Sequence, residues 1–446
     1  MLEESIQKEY FELLKFETVG ADPAKLKECT ACAMWLKDYL AKMGFKGELM
    51  MPPKGFAPPV VFAERPGAEG AHSVLFYGHY DVQPPDPVEE WKTPPFEPTI
   101  IGDRVYCRGA QDDKGQFFAF LNGMKDYLAS AGENAPTIKV VLEGQEESGS
   151  TALSLLAPEN RRKFAADIML VCDTSAAADL RPAIVAGLRG VSHFTIRLSG
   201  ANRDLHSGEY GGVAPNAAQG IAELVASLHN PDGSIAVEGF MEGIEPPSED
   251  EMRLASAGAP DAAAYETDIG CPAVGGERAK SLVERNSFLP TIEVNGIHSG
   301  YGGPGAKTII PAEALAKISM RLVPGQNPKR AFDAVKAHLE AHVPEGMRLA
   351  VEDWNTGAGG FRLPVSSPLF RLADHVLSTL DSRGALFQWD GASIPVVSVL
   401  KEATGAAPLI VGFGQSEDRI HSPNESYSFK QFSMARLWAK SILEAL

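Results

Sequence analysis

Five residues in this sequence, His79, Asp112, Glu147, Asp173 and His421, are of the types that bind divalent metals. Imidazole nitrogen and carboxylate oxygen are the usual ligands of open, catalytic zinc sites, and five such ligands are too many for one open site. Two ions sharing a carboxylate lie about 3.5–4 Å apart, a spacing suited to clamping an attacking water and a substrate oxygen. Hydrolysis of an amide at neutral pH requires an activated water, a polarised carbonyl and a proton shuttle. Divalent metals supply the first two and a free carboxylate the third. Glu146 stands next to Glu147. On a strand or its extension, neighbouring side chains point in opposite directions, so one of the pair can ligate while the other stays free as general base. Zinc suits the set best, and manganese or cobalt could replace it.

The elements that must position these residues are legible as short apolar runs. Residues 74–77, 138–142, 168–172 and 409–411 read as buried strands, and each is followed by one of the candidate ligands. Helical patterns cover 6–16, 24–43 and 116–131. Short strands alternating with helices indicate an α/β mixed-sheet domain. In such sheets, sites form beyond the carboxyl ends of the strands.

The middle of the chain alternates differently. Residues 190–198 place Val191, His193, Thr195 and Arg197 opposite Ser192, Phe194, Ile196 and Leu198. Strands at 291–294, 316–323 and 348–354 and helices at 217–228 and 328–342 complete a β-α-β-β-α-β pattern, the ferredoxin-like unit. The expectation is a catalytic domain over 1–187 and 357–446 with an α+β domain inserted at 188–356. The acidic, proline-containing stretch 242–251 reads as an irregular excursion.

Composition narrows the partners. Lys plus Arg number 41 against 58 Asp plus Glu, a net charge of −17. That field repels phosphate backbones and anionic lipids, so neither nucleic acid nor a membrane is an expected partner. The first residues lack a basic start and an apolar stretch, and no apolar run approaches the roughly 18 residues that span a bilayer. Five cysteines do not suggest a disulfide framework, and the expected location is cytoplasmic. Cys29-x-x-Cys32 lies in a helical pattern with no second pair to complete a zinc site, so it reads as two small residues on a helix.

His79-Tyr-Asp81, Gly109-Ala-Gln-Asp112-Asp113-Lys-Gly115, Glu143-Gly-Gln-Glu146-Glu147-Ser-Gly-Ser150 and Asp173-Thr174 resemble the motifs of carnosinase-like dipeptidases. These belong to the dinuclear metallopeptidase family that also includes carboxypeptidase G, succinyl-diaminopimelate desuccinylase and aminoacylase. Arg203-Asp-Leu-His206-Ser-Gly, Gly305-Ala-Lys-Thr308, Ser319-Met-Arg321 and Ser393-Ile-Pro395 extend the match over essentially the whole chain.

The resemblance implies a bridging Asp112, His79 and Asp173 on one ion, and Glu147 and His421 on the other. It makes Glu146 the general base that activates a metal-bridging water, and Asp81 the acceptor of the His79 ring's second N–H. It also implies a cis peptide between Asp112 and Asp113. The inserted domain would act as a lid and form a homodimer, His206 reaching the partner's site to stabilise the oxyanion. Arg321 would grip the substrate's C-terminal carboxylate, with Thr308 and Ser393 lining the pocket.

Two positions depart from the carnosinase pattern where substrate would bind. Residues 355–360 lack the expected histidine, and Asp390 stands in place of a glutamate. The implied substrate is a dipeptide or short peptide with a free C-terminus, the alternative being an N-acyl or N-carbamoyl amino acid. A second His-Ser-Gly, at His298, lacks the flanking motif and reads as a loop. The glycine-rich run 300–308 is no phosphate loop, because its lysine comes one residue late and Ile-Ile-Pro follows.

Overall fold

The computed structural model describes residues 2–446 except 53–56, 133–134, 178, 260 and 392. The chain forms two compact units: Met1–Ala186 with Leu363–Gln388 and Val396–Leu446, and Gly187–Arg362 with Trp389–Pro395.

In the first unit the Ser73–His79 strand runs parallel to Thr137–Glu143 on one side and Ile168–Val171 on the other. Ala407–Gly412 continues the parallel set beside Ile168–Val171. Val60–Arg65 and Lys46–Met50 add antiparallel strands at one end, and Ala183–Leu188 pairs antiparallel with Ala407–Gly412 at the other. The sheet is therefore mixed. Val74, Leu75, Phe76 and Tyr77 are all buried, as expected of a parallel strand covered on both faces.

The expected helices appear at Glu4–Leu14, Leu26–Lys42 and Lys114–Ser130. The last packs on the C-terminal helix Phe429–Ala445. Gly123 permits that approach, since a Cβ there would sit 2.0 Å from the Arg436 carbonyl oxygen. Cys29 and Cys32 are buried on the second helix, and burial pushes both thiols up to about 12, far from the thiolate that redox chemistry needs. A small sheet of Ser426–Ser428, Arg104–Tyr106 and Thr99–Ile101 joins the segment after His421 to the one before Asp112.

The second unit is a four-stranded antiparallel sheet in the order Thr291–Ser299, Glu313–Leu322, Gly190–Ser199, Arg348–Ala358. With helices Ala217–Ala226 and Pro328–Ala341 it has the ferredoxin-like connectivity. Phe194, Ile196 and Leu198 face the core together with Ile221, Leu224, Phe332 and Val335. Two sequence readings change here. The stretch read as irregular leads into a helix, Glu249–Gly258, started by a capping box between Ser248 and Glu251. His298, read as a loop residue, lies on the Thr291–Ser299 strand. Among the described residues no helix is long and apolar enough to cross a membrane.

Candidate metal centre

The metal-ligand candidates of the first unit lie at a strand end, in the loops that follow strands, or in the turn that opens a helix. His79 ends its strand and is fully buried. Asp112 lies in the turn before the Lys114–Ser130 helix, and the Asp112–Asp113 peptide is cis. Glu146 and Glu147 follow Thr137–Glu143, Asp173 follows Ile168–Val171, and His421 follows Ala407–Gly412 with φ of 60°. Glu146 and Glu147 occupy a 3₁₀ turn, Glu146–Ser148, rather than a strand extension, so the turn and not the pleat separates their side chains.

The five residues converge into two groups that share Asp112: His79, Asp112 and Asp173, and Asp112, Glu147 and His421. Asp112 Oδ1 is 3.2 Å from His79 Nε2, while its Oδ2 is 3.0 Å from His421 Nε2. Asp173 Oδ2 lies 3.7 Å from His79 Nε2, and Glu147 Oε2 lies 3.2 Å from His421 Nε2. The two oxygens of one carboxylate thus serve two different clusters.

Electrostatics show what such a cluster lacks. Burial alone would lower the His79 pKa, but Asp112, Asp173 and Asp81 pull it well above the usual imidazole value. Hydrogen bonds to Asp112 and Glu147 raise His421 to about 10. Burial opposes ionisation of Asp112, yet the same two imidazoles hold it below the normal carboxylate range. Burial and the repulsion of Asp173, Glu143 and Glu147 push Glu146 up to about 9, against the attraction of His79. Protons on the imidazoles therefore stand where dications would relieve the crowding of carboxylates. His79 Nε2 is buried and makes no aligned hydrogen bond, as expected of a nitrogen shaped for a metal. Histidine nitrogens and carboxylate oxygens in this arrangement fit two divalent ions of the zinc type.

Neighbouring groups hold the ligands. His79 Nδ1 lies 3.2 Å from the Asp81 carbonyl oxygen and 3.3 Å from its Oδ1. The Asp81 carboxylate also accepts the backbone N–H groups of Glu146 and Glu147, both at 3.1 Å. Gln83 donates to Glu147 Oε2 at 2.8 Å. No hydrogen bond from a described residue holds the Glu146 carboxylate.

Glu425 was not singled out by sequence reasoning. It is fully buried, and its carboxylate accepts N–H groups of Gly109, Gln111 and Asp112 and the Arg108 guanidinium. Its only local signal is an acid four residues after His421, in a turn-rich segment where a solvated acid is the ordinary expectation.

The remaining candidates belong to the second unit. Arg321, on the Glu313–Leu322 strand, donates from Nη1 to Ser393 Oγ at 2.7 Å and lines a cavity of about 700 Å³ with Arg189 and Glu293. His206 is exposed, and its Nδ1 accepts the Gly208 N–H at 3.1 Å. Thr308 is its near neighbour, the Thr308 carbonyl accepting the Ser207 N–H at 3.0 Å. Asp390 is exposed beside this unit's Arg189. Arg321 and Ser393 are thus brought together, as are the His206 and Thr308 segments.

Comparison with known proteins is consistent with this geometry. Beta-Ala-His dipeptidase of Rattus norvegicus is 28% identical over 399 residues, covering 87% of this chain and 80% of its own. The Cys-Gly metallodipeptidase of Schizosaccharomyces pombe is 28% identical over 396 residues, 84% of this chain and 80% of its own. The solved structure of an M20 family metallo-carboxypeptidase from Sulfolobus solfataricus matches with a TM-score of 0.85 and 28% identity, covering 99% of both chains. The sequence profile described as peptidase family M20/M25/M40 matches residues 75–444, which include all five clustered ligands. The chain belongs to peptidase family M20/M25/M40 and is a metallopeptidase.

Proposed function

We propose that the chain hydrolyses dipeptides or short peptides with a free C-terminal carboxylate, using two zinc ions held by His79, Asp112, Glu147, Asp173 and His421. The observation that carries this reading is the Asp112 carboxylate, whose two oxygens face two separate histidine–carboxylate clusters. When bound, such ions would polarise the scissile carbonyl and lower the pKa of water. Glu146 then takes a proton from the attacking water and delivers it to the leaving amine. Its carboxylate takes no hydrogen bond from a described residue, which suits that exchange. Asp81 orients His79 and fixes the Glu146–Glu147 turn through their N–H groups.

In the second unit, Arg321 and Ser393 would take the substrate carboxylate, a planar guanidinium beside a hydroxyl being well suited to it. Thr308 and Asp390 would border the substrate. His206 would stabilise the developing oxyanion of the partner subunit in a homodimer formed through the inserted unit, in a cytoplasmic enzyme. The exposure of the His206 ring is compatible with that reach.

The names of the relatives, a beta-Ala-His dipeptidase and a Cys-Gly metallodipeptidase, support dipeptides over N-acyl amino acids. The test is a panel of Xaa-Yaa dipeptides, their C-terminal amides, and N-acetyl and N-carbamoyl amino acids. Free dipeptides should be cleaved best and amides poorly. Preferential cleavage of the acylated amino acids, or amides cut as well as acids, would refute the assignment.

A further inference from the structure

We propose that Glu425 is a positioning residue that locks the Asp112 segment to the His421 segment and so holds both metal clusters in register. The inference rests on the two-ion reading above.

Asp112 and His421 lie 309 residues apart in sequence, yet their side chains meet at 3.0 Å. Something must fix both backbones at that separation, and Glu425 does so from a single carboxylate. It sits four residues after His421, in the same turn-rich stretch. Its Oε1 accepts the N–H groups of Gln111 at 2.9 Å and of Asp112 itself at 3.1 Å. Its Oε2 accepts Gly109 N–H and Arg108 Nη1, both at 2.8 Å. The Glu425 carbonyl also accepts the Cys107 N–H at 3.0 Å. The 107–112 segment is thereby wrapped around one side chain.

A charge in such a place needs strong compensation, and these contacts supply it. Glu425 and Arg108 are each no more than 1% exposed, so removing either partner would leave a buried, uncompensated charge. Arg108 is held in turn by the Pro84 carbonyl at 3.2 Å and lies over the Trp91 ring. Gly109, with φ of 79°, adopts the left-handed turn that lets three nearby N–H groups point at one carboxylate. Since Asp112 is shared, a shift of its backbone would disturb both clusters together, whereas loss of a ligand used by one cluster would not.

The test uses the full-length chain, stripped of metal and titrated with zinc against a chromophoric chelator. Wild type should take up two ions. Glu425→Gln keeps the shape but not the charge, and affinity for both ions should fall about 10- to 100-fold, the usual effect of a residue behind metal ligands. A Glu425→Gln variant that binds two zinc ions with wild-type affinity, whatever its thermal stability, overturns the proposal. Uptake of fewer than two ions by wild type would instead overturn the two-ion reading. A second measurement covers a variant that does not fold. In metal-stripped wild type, the amides of Gly109, Gln111 and Asp112 should exchange with deuterium as slowly as strand amides. Exchange at the rate of an open loop would show that Glu425 does not hold them.

Discussion

Replacing Asp112 by alanine removes one ligand from each cluster at once. Its Oδ1 faces His79 Nε2 at 3.2 Å and its Oδ2 faces His421 Nε2 at 3.0 Å, so neither oxygen can substitute for the other. A hydrogen bond to a charged group contributes about 1.5–3 kcal/mol, a floor for a carboxylate–metal contact. At about 1.4 kcal/mol per decade, each ion should therefore bind at least about 10-fold more weakly. His421→Ala makes the contrast. His421 belongs only to the cluster with Asp112 and Glu147 and its side chain is 51% exposed, so its loss should weaken one ion and spare the other. The assay is chelator competition on stripped protein, with circular dichroism to confirm that the fold is retained. Retention is expected, because the Asp112 N–H remains bonded to Glu425. If Asp112→Ala binds one ion with wild-type affinity and loses only the other, the shared-carboxylate reasoning is wrong.

Glu146→Gln should keep both ions and lose about 10²–10⁴-fold in kcat, the usual contribution of a general base; metal loss like that of Glu147→Ala would show that it ligates instead. Binding of ions should release protons, because neighbouring carboxylates raise the proton affinity of His79 and, to about 10, that of His421 in the stripped protein. Calorimetry in buffers of different ionisation heat should show net proton release and an affinity that weakens as pH is lowered; release near zero would contradict the assignment. Glu143 is buried, accepts from Tyr77 and Ser150, and is pushed by burial from 4.5 to about 7. Its folded pKa is raised, so its contribution is fully present below about pH 4.5 and is lost as pH rises through 7, a cost of about 3 kcal/mol above that. Glu143→Gln should therefore raise the Tm of stripped protein at pH 8 more than at pH 5, and an equal shift at both would refute this.

How far the sequence exposed the site depends on the kind of signal. His79, Asp173, Glu147 and His421 were legible because short apolar runs mark strands, and chemistry in these sheets gathers beyond strand ends. The inserted unit was legible through the alternation of Phe194, Ile196 and Leu198 and the spacing of its helices. Glu425 was not, because its partners lie more than 300 residues away and backbone N–H acceptors leave no periodic trace. Asp81 was read only as a partner of His79; its bonds to the Glu146 and Glu147 N–H groups depend on a 3₁₀ turn that local alternation does not encode. The helix at Glu249–Gly258 starts on a Ser-x-x-Glu capping box, a local signal set among prolines and acids of the kind found in irregular surface segments.

Catalysis in this site requires two ions organised by one carboxylate, Asp112. The most direct test follows dipeptide hydrolysis and bound zinc together as stripped protein is titrated. Saturation is expected at two ions per chain, with full activity reached only as the second binds. Full activity at one ion per chain would contradict it.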